Sequence, residues 1–388
     1  MKKIALSIMF FGLCLPTFSF FPFFYGARSL ALGYSSLAFN YDANALFVNP
    51  ALLNSIGSSL GGYQYQTSYL DSRDICGRLG SILAHDLGDF SNLGEKDRES
   101  LLADLNMVFS SRAAISGFQF HNPGYAGKGY AVAVATVDAA VIHPLQNSVL
   151  DKPAGEITNA DIASLRLRFI GFHYTEYSLA FAFPLSATVA VGATAHYLKG
   201  RNTEFTAAFA DEPFRAGSGA KDLLSYAWSA ADRNFSKLNF DLGASAAFGP
   251  YFRAGLVVKN VASPGISTAA GELQLARRLV AGLSFRPDSQ LGIYLDIDAS
   301  RGDLFQTGVE AQPISLGIEK GLFRNKLFLR TGLWSDLAAD YFLGRKSNAL
   351  YGLGCGFNLG KFLVDLALGI DPQGRMKNLG ISGFYMIQ

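Results

Sequence analysis

Apolar side chains recur at every second position through a series of segments, each about ten residues long. Leu238, Phe240, Leu242, Ala244, Ala246 and Phe248 fall on one face of an extended chain; Asn239, Asp241, Gly243, Ser245 and Ala247 fall on the other. Leu291, Ile293, Leu295, Ile297 and Ala299 oppose Gly292, Tyr294, Asp296 and Asp298. Val364, Leu366, Leu368 and Ile370 oppose Leu363, Asp365, Ala367 and Gly369. Val189, Val191, Ala193, Ala195 and Tyr197 oppose Ala190, Gly192, Thr194 and His196. Successive side chains of a strand point to opposite faces, so period two means strand. About ten residues is also the length with which a tilted strand crosses a bilayer. A soluble sandwich alternates too, with its apolar face inward, so the connections have to separate the two.

Strands are expected at 58–70, 113–121, 129–138, 173–183, 188–209, 235–248, 251–260, 277–286, 291–300, 305–320, 326–335, 348–358, 361–370 and 378–387. The connections 71–112, 139–172, 210–234, 261–276 and 336–347 are long. Those at 122–128, 184–187, 249–250, 287–290, 321–325 and 359–360 are short, and 371–377 is intermediate. With one exception, a short connection at 301–304, long and short alternate. Outer-membrane barrels have short periplasmic turns and long external loops, and an even number of strands. The expected fold is therefore all-β, a transmembrane antiparallel barrel of about 14 strands with both ends periplasmic. Closure matters because an unpaired backbone group is costly in hydrocarbon. Phe248-Gly249-Pro250, Arg286-Pro287-Asp288 and Asn358-Leu359-Gly360-Lys361 suit tight turns. Short helices are expected at 97–105 and 223–228 in the outer loops. Tyr63, Tyr65, Tyr69, Phe248, Tyr251, Phe252, Phe285, Trp334, Phe357, Phe384 and Tyr385 lie near strand ends and are candidates for interfacial girdles.

Composition agrees: 49% hydrophobic and only 16% charged residues, against about 25% charged in a soluble domain. The net charge of +2 gives no reason to expect nucleic acid as a partner. Lys2 and Lys3 precede an apolar run from Ile4 to Leu15, Pro16 ends it, and Thr17 and Ser19 stand at −3 and −1 of a cleavage before Phe20. That describes a signal peptide over 1–19, too short to span as a helix. Cys76 and Cys355 lie far apart; a disulfide is possible but not implied.

Residues 20–56 do not alternate cleanly and read as a small hatch before a barrel over 57–388. Asn49 can cap a helix, and Pro50 fits a first helical turn. Asn44 is a second candidate cap. The run Gly26-Ala27-Arg28-Ser29-Leu30-Ala31-Leu32-Gly33, followed by Asp42-Ala43-Asn44-Ala45-Leu46-Phe47-Val48-Asn49-Pro50-Ala51-Leu52-Leu53, resembles the N-terminal hatch of FadL-type outer-membrane transporters. It is similar also to their PorV-like and TraF-like relatives and to FadL-like proteins of spirochaetes. Asn49-Pro50-Ala51 is the core of the resemblance. Its implication is uptake of hydrophobic molecules such as long-chain fatty acids, with Asn49, Pro50 and Ala51 in the hatch or its gating. A PorV-like docking barrel for secretion or surface attachment, or a surface antigen, would use the same scaffold. The final Gln388 departs from the aromatic residue that ends many such barrels.

Little in the sequence points to catalysis. His85, His121, His143, His173 and His196 lack metal-ligand spacing, and neither a nucleophile elbow nor a phosphate loop occurs. Asp296 and Asp298 share a face, as carboxylates in polar barrel interiors commonly do. No catalytic residue, metal or cofactor is expected. Asp241, Arg253, Lys259, Asp296, Asp298, Arg330 and Asp365 are expected on the lumen face, bracing the wall or tuning passage. The expected partners are outer-membrane lipid and hydrophobic small molecules, with the chain acting as a monomer.

Overall fold

The computed structural model describes residues 17–19, 26–40, 42–57, 59–71, 75–83, 90, 92–109, 115–145, 148–208, 233–268, 272–304, 310–337, 349–372 and 376–387. Fourteen strands form one closed antiparallel barrel. In chain order they are β1 (Ser59–Asp71), β2 (Ile115–Gly127), β3 (Tyr130–Pro144), β4 (Arg166–Pro184), β5 (Val189–Ala208), β6 (Arg233–Phe248) and β7 (Phe252–Lys259). Then come β8 (Arg278–Phe285), β9 (Leu291–Asp298), β10 (Pro313–Leu322), β11 (Leu327–Asp336), β12 (Ala349–Leu359), β13 (Phe362–Ile370) and β14 (Met376–Ile387). Each strand pairs with the next, and β14 closes on β1 from Met376↔Leu70 to Ile387↔Ser59. No sheet edge remains in the barrel, which is the condition for a sheet to sit in lipid.

The alternation decides which face is which. Leu238, Phe240 and Leu242 are exposed on the outside, while Asn239 and Asp241 are buried within. At the short-turn end the outer surface carries Tyr130, Phe183, Phe248, Tyr251, Phe252, Phe323, Phe362 and Tyr385, an aromatic girdle at that rim. Trp334 and Phe384 are corrections to the girdle expectation: both point into the lumen and are at most 2% exposed. Trp334 shares its parity with Arg330 and Gly332, and parity overrides proximity to a strand end.

Strand boundaries also change. Pairing of β2 continues past residue 121 to Gly127, so the turn to β3 is only 128–129. The expected strand 305–320 begins at Pro313, whose missing N–H suits a first strand position. Residues 302–304 instead pair with 310–311 on one side and with Thr17–Ser19 on the other, in a separate three-stranded sheet. The connection 299–312 is therefore long, and the one exception to the alternation disappears.

Strand lengths divide the barrel. On one side β3, β4 and β5 have 15, 19 and 20 residues, well beyond the roughly 9–11 that a crossing needs. Their outer ends are buried on both faces. Outside, Ala140, Ile142, Leu167 and Phe169 pack against α-helices of the first two long connections, the expected helix at 97–105 among them (Glu95–Phe109). The helix expected at 223–228 and the signal residues 1–16 lie outside the described residues. Inside the barrel sits the plug: α1 (Gly26–Ala31), α2 (Ala45–Val48) and a 3-10 helix, Pro50–Ser55. Asn49 caps the 3-10 helix by accepting from the Ala51 N–H, with Pro50 in its first turn. Asn44 precedes α2 without a side-chain capping bond.

Candidate functional site

The plug touches the wall where the wall has no side chains. On nine of the strands from β5 to β14 an inward-facing glycine meets plug atoms. A Cβ at Gly192 would lie 2.6 Å from the Ala51 nitrogen, and one at Gly255 would lie 2.6 Å from the Leu37 oxygen. At Gly317 it would lie 2.7 Å from the Leu32 oxygen, and at Gly332 it would strike the Leu32 carbonyl itself. Cross-strand pairing makes these positions neighbours: Gly192↔Gly243, Gly255↔Gly282, Gly317↔Gly332, Gly332↔Gly352 and Gly352↔Gly369. The result is a girdle of bare backbone, a seat into which the plug's own backbone fits.

Each sequence-selected hatch residue lies on this seat. Asn49 is fully buried, and its amide donates to the carbonyls of Leu37 and Ala244, each at 3.1 Å. Pro50 faces Gly243 and Gly192, and Ala51 faces Gly192. The seven lumen residues fall in three groups along the wall. On β9, Asp296 accepts from the Ser36 and Leu37 N–H groups at 2.7 and 2.8 Å, and Asp298 pairs separately with Arg278. On β6 and β7, Lys259 donates to Asp241 at 2.7 Å and to the Phe47 carbonyl of the plug. Arg253 donates to Ser55 at 2.9 Å. Arg330 bridges Glu319 at 2.6 Å and Asp365 at 2.5 Å.

Sequence reasoning missed the partners. Arg28 of the plug lies 3.2 Å from Glu319, so the Arg330–Asp365 pair extends into a four-residue network from hatch to wall. Arg28 is the charged residue inside the quoted glycine-alanine-arginine motif, and that was the available signal. His196 lies between Glu176 at 2.6 Å and Asp241 at 3.2 Å and stacks on Phe47. Phe39 of the plug lies under three guanidinium groups, those of Arg28, Arg253 and Arg286. Ion pairs this buried cost desolvation whatever they return. Their placement at plug contacts makes them fasteners for the hatch.

Beside the charged sector the lumen wall is apolar. Phe118 and Phe120 of β2, Phe172 and Tyr174 of β4, Leu198 of β5 and Phe235 of β6 face inward in one cluster. Phe120 meets Phe47 of the plug edge-on at 5.8 Å, and Phe235 contacts both Phe172 and Tyr174. At the outer end the same cluster takes in Ile266 and Leu273, from a hairpin in which 265–267 pairs with 272–274. Hydrogen bonds from Asn202 to the Ser267 carbonyl and from Arg233 to the Thr268 carbonyl fix that hairpin over the tall wall. At the inner end the cluster reaches Leu53, Ile56, Leu60, Leu363 and Phe384. The helices of the first long loop pack on the outside of the wall, and the hairpin strands 265–267 and 272–274 join the apolar cluster within it.

The family model described as F plasmid transfer operon, TraF, protein matches residues 81–298, over half of the chain. No curated protein matches by sequence. Among solved structures, a CymD monoaromatic hydrocarbon channel aligns with a TM-score of 0.55 at 14% identity, covering 95% of this chain and 99% of that one. A Pseudomonas aeruginosa FadL homologue aligns with a TM-score of 0.53 at 11% identity, over 96% and 99% of the two chains. The Ralstonia pickettii toluene transporter TbuX aligns with a TM-score of 0.52 at 14% identity, over 94% and 98%. The shared property is the fold, a FadL-type closed barrel of 14 strands.

Proposed function

We propose a function for a chain that belongs to the family described as F plasmid transfer operon, TraF, protein: it admits small hydrophobic molecules through an outer membrane. The observation that carries this reading is the single apolar cluster running from the outer hairpin, down the tall wall, to the plug and the periplasmic floor. An apolar solute loses no hydrogen bonds along such a surface and gains burial. The fold is shared with a monoaromatic hydrocarbon channel and a toluene transporter. In this reading Asn49, Pro50 and Ala51 act in gating: they hold the plug on its seat, and passage requires the plug to shift there. Long-chain fatty acids and monoaromatic hydrocarbons are the two ligand classes to set side by side.

A second reading has its own observation. The glycine girdle and the Arg28 network fasten the plug closely, as suits a barrel that serves as a docking platform for an envelope machine. One pair of measurements separates the two. Cells expressing the protein are given radiolabelled oleate and toluene, and the protein is purified in mild detergent to identify stable companions. Uptake above the vector control supports passage. No uptake of either probe, together with a stoichiometric large partner, overturns passage in favour of docking.

A further inference from the structure

Many polar side chains between plug and wall have partners, but at one level of the barrel several neighbouring buried polar atoms have none. Ser382 of β14 stands opposite Asp365 of β13 and Gln64 of β1, and Gln64 stands opposite Asn122 of β2. These four inward side chains are at most 1% exposed. Asp365 Oδ2, Ser382 Oγ, Gln64 Oε1 and both amide atoms of Asn122 make no hydrogen bond. Facing them from the plug is Asn44, also fully buried, with both amide atoms unbonded. A Cβ at Gly26 would strike both Gln64 Oε1 and Asn44 Nδ2, which places the plug asparagine against this row.

Native folds leave few buried polar atoms unsatisfied, because each carries the full cost of desolvation. A cluster of this size in one place marks a site that holds something able to hydrogen-bond. The inventory selects the ligand. Asn44 and Asn122 each present an amide N–H2 and a carbonyl, Asp365 and Gln64 present acceptors, and Ser382 presents a hydroxyl. A metal cation would satisfy the oxygens, leave the amide N–H groups bare, and stand next to the guanidinium of Arg330, itself on Asp365. Water donates and accepts, and a buried water typically makes about three hydrogen bonds.

We propose that this level is a binding chamber for a small cluster of ordered water molecules, joining Asn44 of the plug to β13, β14, β1 and β2. Roughly across the barrel, Asn49 and Pro50 press directly on Gly243. The chamber does not depend on what passes through the barrel.

A crystal structure of the full chain, at a resolution that shows ordered water, tests this directly. The expected result is water within hydrogen-bond distance of Asn44, Gln64, Asn122 and Ser382. A dry level with these side chains paired to one another would overturn the proposal. So would density there for the residues preceding Gly26, or for a cation held by oxygens alone. Asn122→Leu gives an independent reading, with Ser382→Ala in its place if that variant does not fold. The thermal midpoint is expected to fall because the water cluster loses a partner; an unchanged or higher midpoint would show bare atoms that were better removed.

Discussion

Gly332 shows what a single missing side chain can do in this barrel. Its inward face is occupied by the Leu32 carbonyl, so Gly332→Val places a branched side chain where plug backbone already stands. The strand pairing of β11 is unaffected by that change, and valine is a favourable strand residue. The expected variant has an intact barrel and an unseated plug, seen as ion conductance in planar bilayers above that of the parent protein. Such glycines were legible in hindsight: each falls on the inward parity of its strand, and that parity was read from the sequence. Their meaning was not, because nothing local says that a second backbone will lie against them. Asp42 is the other residue with a distinct signature. Burial pushes its carboxyl from 3.8 up to about 6, against the pull of the Arg28 charge, and one of its oxygens makes no hydrogen bond. A carboxyl whose folded pKa is raised binds its proton more tightly in the seated plug than when released. Its stabilising contribution is complete below about 3.8 and is lost as pH rises through about 6. Hydrogen-exchange protection of residues 42–57, corrected for intrinsic rates, should fall between about pH 4 and about pH 6, and Asp42→Asn should remove the difference.

Among the elements, the strands were far more legible than the pieces between them. Alternation is a local property, and it located all 14 barrel strands, with the largest error at β10, where Pro313 and a side hairpin displaced the start. The long β4 and β5 are buried on both faces at their outer ends, so the sequence there loses its alternation; β4 was accordingly expected to start at 173 when it starts at Arg166. Tertiary packing of the outer helices supplied the missing information. Those helices rest on an apolar base of Leu101, Leu105, Val108 and Phe109 against the wall, while Lys96 remains exposed. Trypsin added to intact cells should therefore cut at Lys96 and leave the barrel assembled. Cleavage only after cell lysis would place this end of the barrel on the other side of the membrane.

At the scale of the whole molecule, three things coexist: a closed wall, a seated plug, and an apolar sector of the lumen beside a charged one. Closure makes the barrel resistant to detergent at room temperature, because every strand is paired on both sides. An unboiled sample should accordingly migrate faster on a denaturing gel than a boiled one; equal migration would contradict a closed barrel. The charged anchors of the plug were half legible: Asp241, Lys259, Asp296, Arg330 and Asp365 stood out as inward charges, and their partners Arg28, Glu319 and His196 emerged only with the register. In the proposed function, passage of apolar solutes rests on the other half of the lumen. Phe172 lies midway along it, buried and turned inward against Phe235. The most direct measurement is uptake of labelled toluene and oleate by cells carrying Phe172→Asp, with barrel assembly checked by the gel shift. A carboxylate in that wall has no partner and imposes a steep desolvation cost, so uptake should fall by about tenfold or more, which corresponds to at least about 1.4 kcal/mol. Uptake equal to that of the parent, in a barrel shown to be assembled, would contradict the apolar lumen as the route.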